Sequence, residues 1–345
     1  MTTTQTRHFV HHHALSVDEA ADAIALAHAC RRRYESPGDP SFLADAGYIA
    51  QDLPDGVRRL ANTARLDDRK HAVLFSGGLV NDEAIEPTPW HWRDADTPGS
   101  RVYGFLLVLY GALFGDMIGW ATQQDGRVVT DVVPTPGQED GLVSSCSKRE
   151  LSWHTEDAFS PYRADYVGLY CLRSPTSTAT TVSYVDMSEV PDDIAELLAD
   201  DRFTLLPDLS HDPDNNSDKQ HYASAEAFDR LEGLRVDPPR VPILSGNLDA
   251  PVLRIDRDFV LPAADDADSA RALAWITRHL DGNLYEIPLS PGDACLIDNN
   301  NSVHGRRPFQ PRYDGKDRWL KRVNVVTDLR RTRPGRATAH DRVIG

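Results

Sequence analysis

The sequence predicts a mixed α+β fold: a double-stranded β-helix, or jelly-roll, core with N-terminal and inserted helices. Two observations carry this. Residues 14–66 show helical spacing, and from about residue 120 onward short β-branched runs alternate with Pro, Gly, Asp and Asn turns, the texture of a sandwich or barrel. A third bounds the size: 345 residues, 40% of them hydrophobic and 26% charged, suffice for one β-rich domain with additions and a sizeable core.

The elements follow in order. Residues 1–13 are polar, contain His11-His12-His13, and read as a flexible tail. Residues 14–328 read as a single domain, with a helical part at 14–118 and a jelly-roll core at about 119–328 that carries an inserted loop and helical segment at 186–250. Ser16 with Glu19 is a capping box, followed by the stripe Ala21, Ile24, Ala25, His28. Leu53 to Leu66 gives a second helix, and residues 71–80 a strand ending in a glycine turn. Residues 102–121 are nearly all apolar, but Asp116 and four glycines interrupt them, so they read as a buried helix rather than a membrane span.

Strand candidates are 128–133, 179–185, 252–255, 284–289 and 320–327. Asp192 to Asp201 reads as an acidic helical piece, and Asp208 to Lys219 as a polar loop of the kind that covers active sites. Residues 329–345 form a basic tail that reads as solvated.

Composition excludes some functions. A formal charge of −16 argues against a nucleic-acid partner and is compatible with a cationic small molecule. Cys30, Cys146, Cys171 and Cys295 are scattered without a CxxC, so they read as buried thiols in a reducing compartment. Cytoplasmic location follows from these features and the lack of a signal segment.

The chemistry-bearing pattern is His154-Thr155-Glu156 with a lone His304 and then Arg318 far downstream. Two imidazoles and one carboxylate form the facial triad that holds non-haem Fe(II). In a strand, His154 and Glu156 share a face while Thr155 points away. With this many histidines and acids, about two His-x-Asp/Glu triplets arise by accident, so the motif alone is weak. The second one, His279-Leu280-Asp281, lies at the end of the helical run 268–281, where a histidine meets the helix dipole and positions i and i+2 do not face each other.

The stretch Trp153 to Tyr166 resembles the clavaminate synthase-like oxygenases. The likeness continues through Val303 to Asn324 and through Gly119 to Arg127. Within that family the chain is most similar to the arginine hydroxylases of peptide antibiotic pathways, of the viomycin and streptothricin type.

The resemblance implies Fe(II) at His154, Glu156 and His304, and 2-oxoglutarate and O₂ as co-substrates. Arg318 would pair bidentately with the distal 2-oxoglutarate carboxylate, and Thr181 would donate a hydroxyl to it. It implies that Asp208, Asp256 and Asp258 receive a guanidinium and that Arg322 clamps the α-carboxylate. Gln123, Ser144 and Glu156 would orient the α-amino end, with Leu142 lining that wall.

The implied reaction is hydroxylation of free L-arginine at Cβ, with a second hydroxylation at Cγ left open. The cyclic derivative enduracididine is an alternative substrate, and a non-catalytic jelly-roll protein that binds a cationic amino acid is a distant alternative. Leu209 departs from the polar residue expected in the Asp208 loop, which puts the position of hydroxylation in doubt.

Overall fold

A computed structural model describes residues 9–67, 69–216 and 225–345. Its helices are α1 (Val17–Arg33), α2 (Pro40–Ile49), α3 (Asp55–Ala64), α4 (Pro98–Ala112), α5 (Asp192–Leu198), α6 (Ala225–Val236) and α7 (Ala267–Gly282). Its strands before the insertion are β1 (Val10–Ala14), β2 (Ala72–Ser76), β3 (Asp116–Trp120), β4 (Val129–Val132), β5 (Leu151–His154), β6 (Tyr166–Arg173) and β7 (Ala179–Tyr184). Then follow β8 (Phe203–Leu205), β9 (Arg240–Val241), β10 (Leu244–Ser245), β11 (Val252–Leu253) and β12 (Val260–Pro262). The last are β13 (Tyr285–Pro288), β14 (Ala294–Asp298), β15 (Ser302–Arg306), β16 (Trp319–Val326) and β17 (Val343–Ile344).

Two main sheets organise the fold. The larger runs β1-β2-β14-β6-β16-β3-β17, with β4 also paired to β16; the smaller runs β13-β7-β15-β5. They pack face to face through alternate apolar side chains. Val167, Leu169, Cys171, Cys295, Ile297 and Leu320 of the larger sheet meet Val182, Tyr285 and Ile287 of the smaller, the period-two pattern of sheets with one face buried.

The outer face of the larger sheet is covered by α1–α4 in a core that includes Phe42, Phe105, Leu107, Val323 and Val325. Outside the smaller sheet, a third core joins α5, α6, α7 and the short strands through Ile194, Leu198, Leu231, Ile276 and Leu280. The result is a mixed α+β architecture of several sheets, with helices on both outer faces.

Local sequence explains much of this. The Ser16 capping box forms as read, and Thr97 with Ser100 caps α4 after Pro98. The apolar stretch at 102–121 is a helix only to Ala112. Gly115 ends the turn against the Val326 carbonyl, and residues 116–120 then continue as β3. Among the described residues no helix is long and apolar enough to cross a membrane. All four cysteines are free and buried.

Three readings need correction. Residues 10–13, expected in a mobile tail, form β1, whose parallel partner β2 supplies hydrogen bonds that no local pattern reveals; residues 1–8 lie outside the described residues. The basic C-terminal tail, expected to be solvated, is docked: β17 pairs with β3, Arg331 bonds Asp165, and Arg336 is buried against carbonyls of its own segment. The polar loop read at 208–219 folds as two short turns, Leu209–His211 and Pro213–Asn215, and its last three residues lie outside the described residues.

Candidate active site

The site lies between the two sheets. His154 ends β5 and stands directly opposite His304 on β15, which puts the imidazole centroids 4.5 Å apart. Close pairing at this point depends on Gly305, because a Cβ there would lie 2.4 Å from the Leu151 carbonyl oxygen. The chain leaves β5 after His154, and Asn299 fixes the next turn: its side chain accepts from Glu156 N at 2.7 Å and donates to the Glu156 and Ala164 carbonyls. Glu156 therefore comes to the same point by a supported turn rather than by continuing the strand.

Glu156 Oε2 lies 3.3 Å from His304 Nε2 and 3.6 Å from His154 Nε2. Ligand atoms of the three residues all fall within 4.8 Å of one another. Cis ligands about 2.1 Å from one octahedral ion would be about 3 Å apart, so the three residues fit a single metal. His154 Nδ1 meets the Ser152 carbonyl at 2.9 Å, which assigns the proton to Nδ1 and leaves Nε2 as a lone-pair donor. Glu156 Oε2 is buried with no hydrogen-bond partner. Burial works against the Glu156 charge, yet Arg322, His154 and His304 hold the carboxyl well below the usual range.

Strand β16 and the residue just before it supply cations at the two ends of the cavity. Arg318, Leu320 and Arg322 line it at alternate positions, and four residues of strand separate the two arginines by about 13 Å. Arg322 bonds Glu156 Oε1, Gln123 Oε1 at 2.8 Å and Thr130 Oγ1 at 3.2 Å.

Arg318 is different. It is 5% exposed, its Nε lacks a partner, and among the described residues no carboxylate lies within ion-pair distance. Burial, with Arg306 alongside, pulls it down to about 10. A buried guanidinium without an anion is costly, so this end of the cavity can take a carboxylate that the described residues do not provide.

The hydroxyl facing that end belongs to Thr180, not to Thr181. Thr180 pairs with Arg306 in the β7–β15 ladder and lines the cavity, and its Oγ1 has no partner. Thr181 pairs with Gly305 on the opposite face. Ser183, two residues on and on that same face, donates to the Leu280 carbonyl of α7. The expectation for Thr181 was off by one residue, and in a strand one residue exchanges the two faces.

Beside the triad stand the acids. Asp208, Asp256 and Asp258 all line it, as do Leu142 and Ser144. Asp256 bridges to His154, and its Oδ1 accepts from Asp258 N and Phe259 N. Burial pushes its carboxyl up to about 7; the His154 imidazole opposes this, while Asp208 and Asp258 add to it. Among the described residues, the basic groups within 4.0 Å of these acids, apart from the triad, are Arg149, 4.0 Å from Asp258, and the His211 imidazole, 3.9 Å from Asp208. Gln123 stands beside the cavity, tied to Arg322 and, at 2.7 Å, to Ser210 Oγ. Leu209 does not line the cavity; its carbonyl caps the Asn215 side chain.

Two residues escaped the sequence reading. Arg306 stands two residues after His304 on one strand, which puts it on the cavity face. His211 is fully buried beside Asp157, and no local pattern marks it. The decoy His279 stacks on Trp275 at 4.8 Å and accepts from the Asp186 backbone N–H, far from the triad in role.

Comparison with known proteins places this geometry. A family model described as taurine catabolism dioxygenase TauD, TfdA family, matches residues 109–324. The enduracididine beta-hydroxylase of Streptomyces hygroscopicus is 37% identical over 336 residues, covering 96% of this chain and 98% of the relative. The L-ornithine/L-arginine 3-hydroxylase of Catenulispora acidiphila is 34% identical, covering 97% and 100%. The crystal structure of the non-heme iron oxygenase OrfP with Fe, succinate and (3S)-hydroxy-L-Arg superposes with a TM-score of 0.92 at 39% identity, covering 97% and 99% of the two chains. OrfP is also known with Fe and alpha-ketoglutaric acid.

The chain belongs to the TauD/TfdA dioxygenase family. Within it, the chain belongs with the 2-oxoglutarate-dependent amino-acid hydroxylases.

Proposed function

We propose that the enzyme hydroxylates the side chain of free L-arginine at Cβ, with Fe(II) held by His154, Glu156 and His304. The observation that carries this reading is that Asp208, Asp256 and Asp258 line the same cavity as the triad. Burial pushes the Asp256 carboxyl up to about 7 and its neighbours Asp208 and Asp258 add to this, so a cation suits this end of the cavity; OrfP, so similar in fold, has been crystallised with L-Arg and with L-homoarginine.

Iron and 2-oxoglutarate, when bound, supply the oxidation that consumes O₂ and releases succinate and CO₂. The chain's own residues do the rest. Arg318 and Thr180 hold the distal carboxylate of 2-oxoglutarate. Arg322 spends three of its five N–H donors on Glu156, Gln123 and Thr130, which leaves two for the substrate α-carboxylate. Gln123, Ser144 and the Glu156 carboxylate orient the α-amino group, while Leu142 shields that side from water. With the carboxylate at Arg322 and the guanidinium at the acids, the β and γ carbons fall between, so positioning decides which C–H reacts.

The two facing sheets support a jelly-roll core formed mainly by residues 119–328, to which β1 and β17 are joined. The absence of a membrane-length helix among the described residues and the four free cysteines support a cytoplasmic enzyme. One second substrate deserves a place, since the enduracididine beta-hydroxylase is 37% identical: a cyclised guanidine would satisfy the same carboxylates.

The discriminating experiment compares L-arginine with L-citrulline, which has the same length without the charge. We expect kcat/KM for arginine to exceed that for citrulline by more than 100-fold, because citrulline leaves buried carboxylates unpaired. Comparable rates would refute the acidic pocket.

A further inference from the structure

The segment that carries Asp208 is anchored by an unusual plug. Between Asp208 and Asn216 the chain makes two short turns, and its polar side chains His211 and Asn216 are buried. His211 is fully inaccessible. Its ring sits edge-on in a slot between Trp120 and Phe159, at centroid distances of 5.7 and 4.9 Å. Both ring nitrogens are engaged: Nδ1 with Thr122 Oγ1 at 2.8 Å and Nε2 with Asp157 Oδ1 at 3.0 Å. Around it, Gln123 donates to Ser210, and Asn216 donates to the Thr122 carbonyl at 2.6 Å and accepts from Asp125 N at 3.2 Å.

The other end of this contact is as informative. Asp157 directly follows Glu156 and has φ +53°, a left-handed conformation that a non-glycine residue keeps only when its surroundings hold it. Its Oδ2 accepts from Trp120 Nε1 at 2.5 Å and from Asn324 Nδ2 at 3.1 Å, while Oδ1 takes His211. Asp157, Asp208 and His211 also lie close enough together to suggest a second cation site. Yet both Asp157 oxygens and both His211 nitrogens already have partners within the chain, so the cluster is a latch rather than an open ligand set.

We infer that His211 is a positioning residue for the substrate. Seated in its aromatic slot, it holds Asp208 and Ser210 over the cavity and ties them to the turn that presents Glu156. Withdrawal of the imidazole releases Asp208 from the guanidinium end and Ser210 from Gln123, and removes one of the three bonds on Asp157. The loop that recognises the substrate and the turn that carries the candidate metal carboxylate are thus set together. The consequence for catalysis rests on the proposal that Asp208 receives the cationic end of the substrate, whereas the latch itself does not.

Two measurements separate these. Hydrogen–deuterium exchange of ligand-free wild type and His211→Ala reads the latch: amides of residues 206–216 should exchange at least tenfold faster in the variant. Steady-state assays of the Fe(II)-loaded enzymes read its consequence. His211→Ala should raise KM for L-arginine at least tenfold and increase succinate formed per hydroxylated arginine, with KM for 2-oxoglutarate within twofold. His211→Gln, which keeps a donor for Asp157, should recover most of the arginine affinity.

If His211→Ala does not fold, Thr122→Val removes one hook only and should give a severalfold rise in KM for arginine with faster exchange of the same segment. Wild-type exchange, KM and coupling in the variant that folds would overturn the inference, even if its melting temperature falls. If Asp208→Ala leaves arginine turnover unchanged, the substrate reading fails, and the exchange result alone then decides the latch.

Discussion

Replacing Arg318 by Met separates a binding role from a folding role, because the two predict opposite changes in stability. Arg318 is buried with no carboxylate among the described residues within ion-pair distance, and burial with Arg306 nearby pulls it to about 10. That is more than two pH units below the ordinary guanidinium value, a penalty of about 3 kcal/mol at about 1.4 kcal/mol per pH unit. Met keeps most of the aliphatic stem and removes the charge, so the ligand-free variant should be more stable than wild type by about 1–3 kcal/mol, after some loss of packing.

The cost appears on binding. Loss of a charge-assisted bidentate pair in a dry site is worth about 2–5 kcal/mol, so the 2-oxoglutarate Kd should rise by about 30-fold or more. Calorimetric titration of 2-oxoglutarate into anaerobic Fe(II)-loaded protein reads the second effect, and thermal unfolding of metal-free protein reads the first. Added 2-oxoglutarate at about 100 times Kd should stabilise wild type by about 2.7 kcal/mol and the variant hardly at all. A variant that is less stable without ligand yet binds 2-oxoglutarate within threefold of wild type would refute the argument.

Four further outcomes follow from the same structure. Thr180→Val should raise KM for 2-oxoglutarate severalfold while Thr181→Val leaves it within twofold; the reverse order in kinetics would restore Thr181. Gly305→Ala should lower Fe(II) affinity at least tenfold in a metal-binding titration, since its Cβ would meet the Leu151 carbonyl oxygen at 2.4 Å and part the strands that hold His154 and His304. Asp256→Asn should raise KM for arginine at least tenfold with little change in 2-oxoglutarate consumption without substrate, and equal KM values would remove Asp256 from the pocket.

The fourth concerns acid stability. Burial lowers His71 to about 4, so the unfolded chain takes up a proton that the folded one resists. Its contribution to stability is present above pH 6.5 and is lost as pH falls towards 4, by about 3 kcal/mol. Denaturant unfolding of His71→Phe should be correspondingly less pH-dependent over that window; an unchanged slope would refute the assignment.

How far the sequence could be read depended on the range of the interaction. The cap signals at Ser16 give the start of α1, because capping is a local rule, and the resemblance marks Arg318 and Arg322. The pairing of His154 with His304 joins residues far apart in the chain, yet the resemblance of the stretches around them marks both. Long-range partners were harder. His11, His12 and His13 look like a polar tail until β2 pairs with them, and the basic residues after 329 look solvated until β17 joins β3. Thr180 and Thr181 are adjacent and chemically alike, so only the register against β15 separates them. His211 carries no motif at all; its role lies in the slot between Trp120 and Phe159, which only the folded chain creates.

The most direct test is a single reaction: anaerobic protein loaded with Fe(II) and 2-oxoglutarate, mixed with L-arginine, exposed to O₂ and examined by mass spectrometry with fragmentation. The account predicts arginine that has gained one oxygen at Cβ, with succinate formed in equal amount. Succinate formed without any change in arginine would contradict the proposed substrate while leaving the iron site intact, and neither product in verified iron-loaded enzyme would contradict the account as a whole.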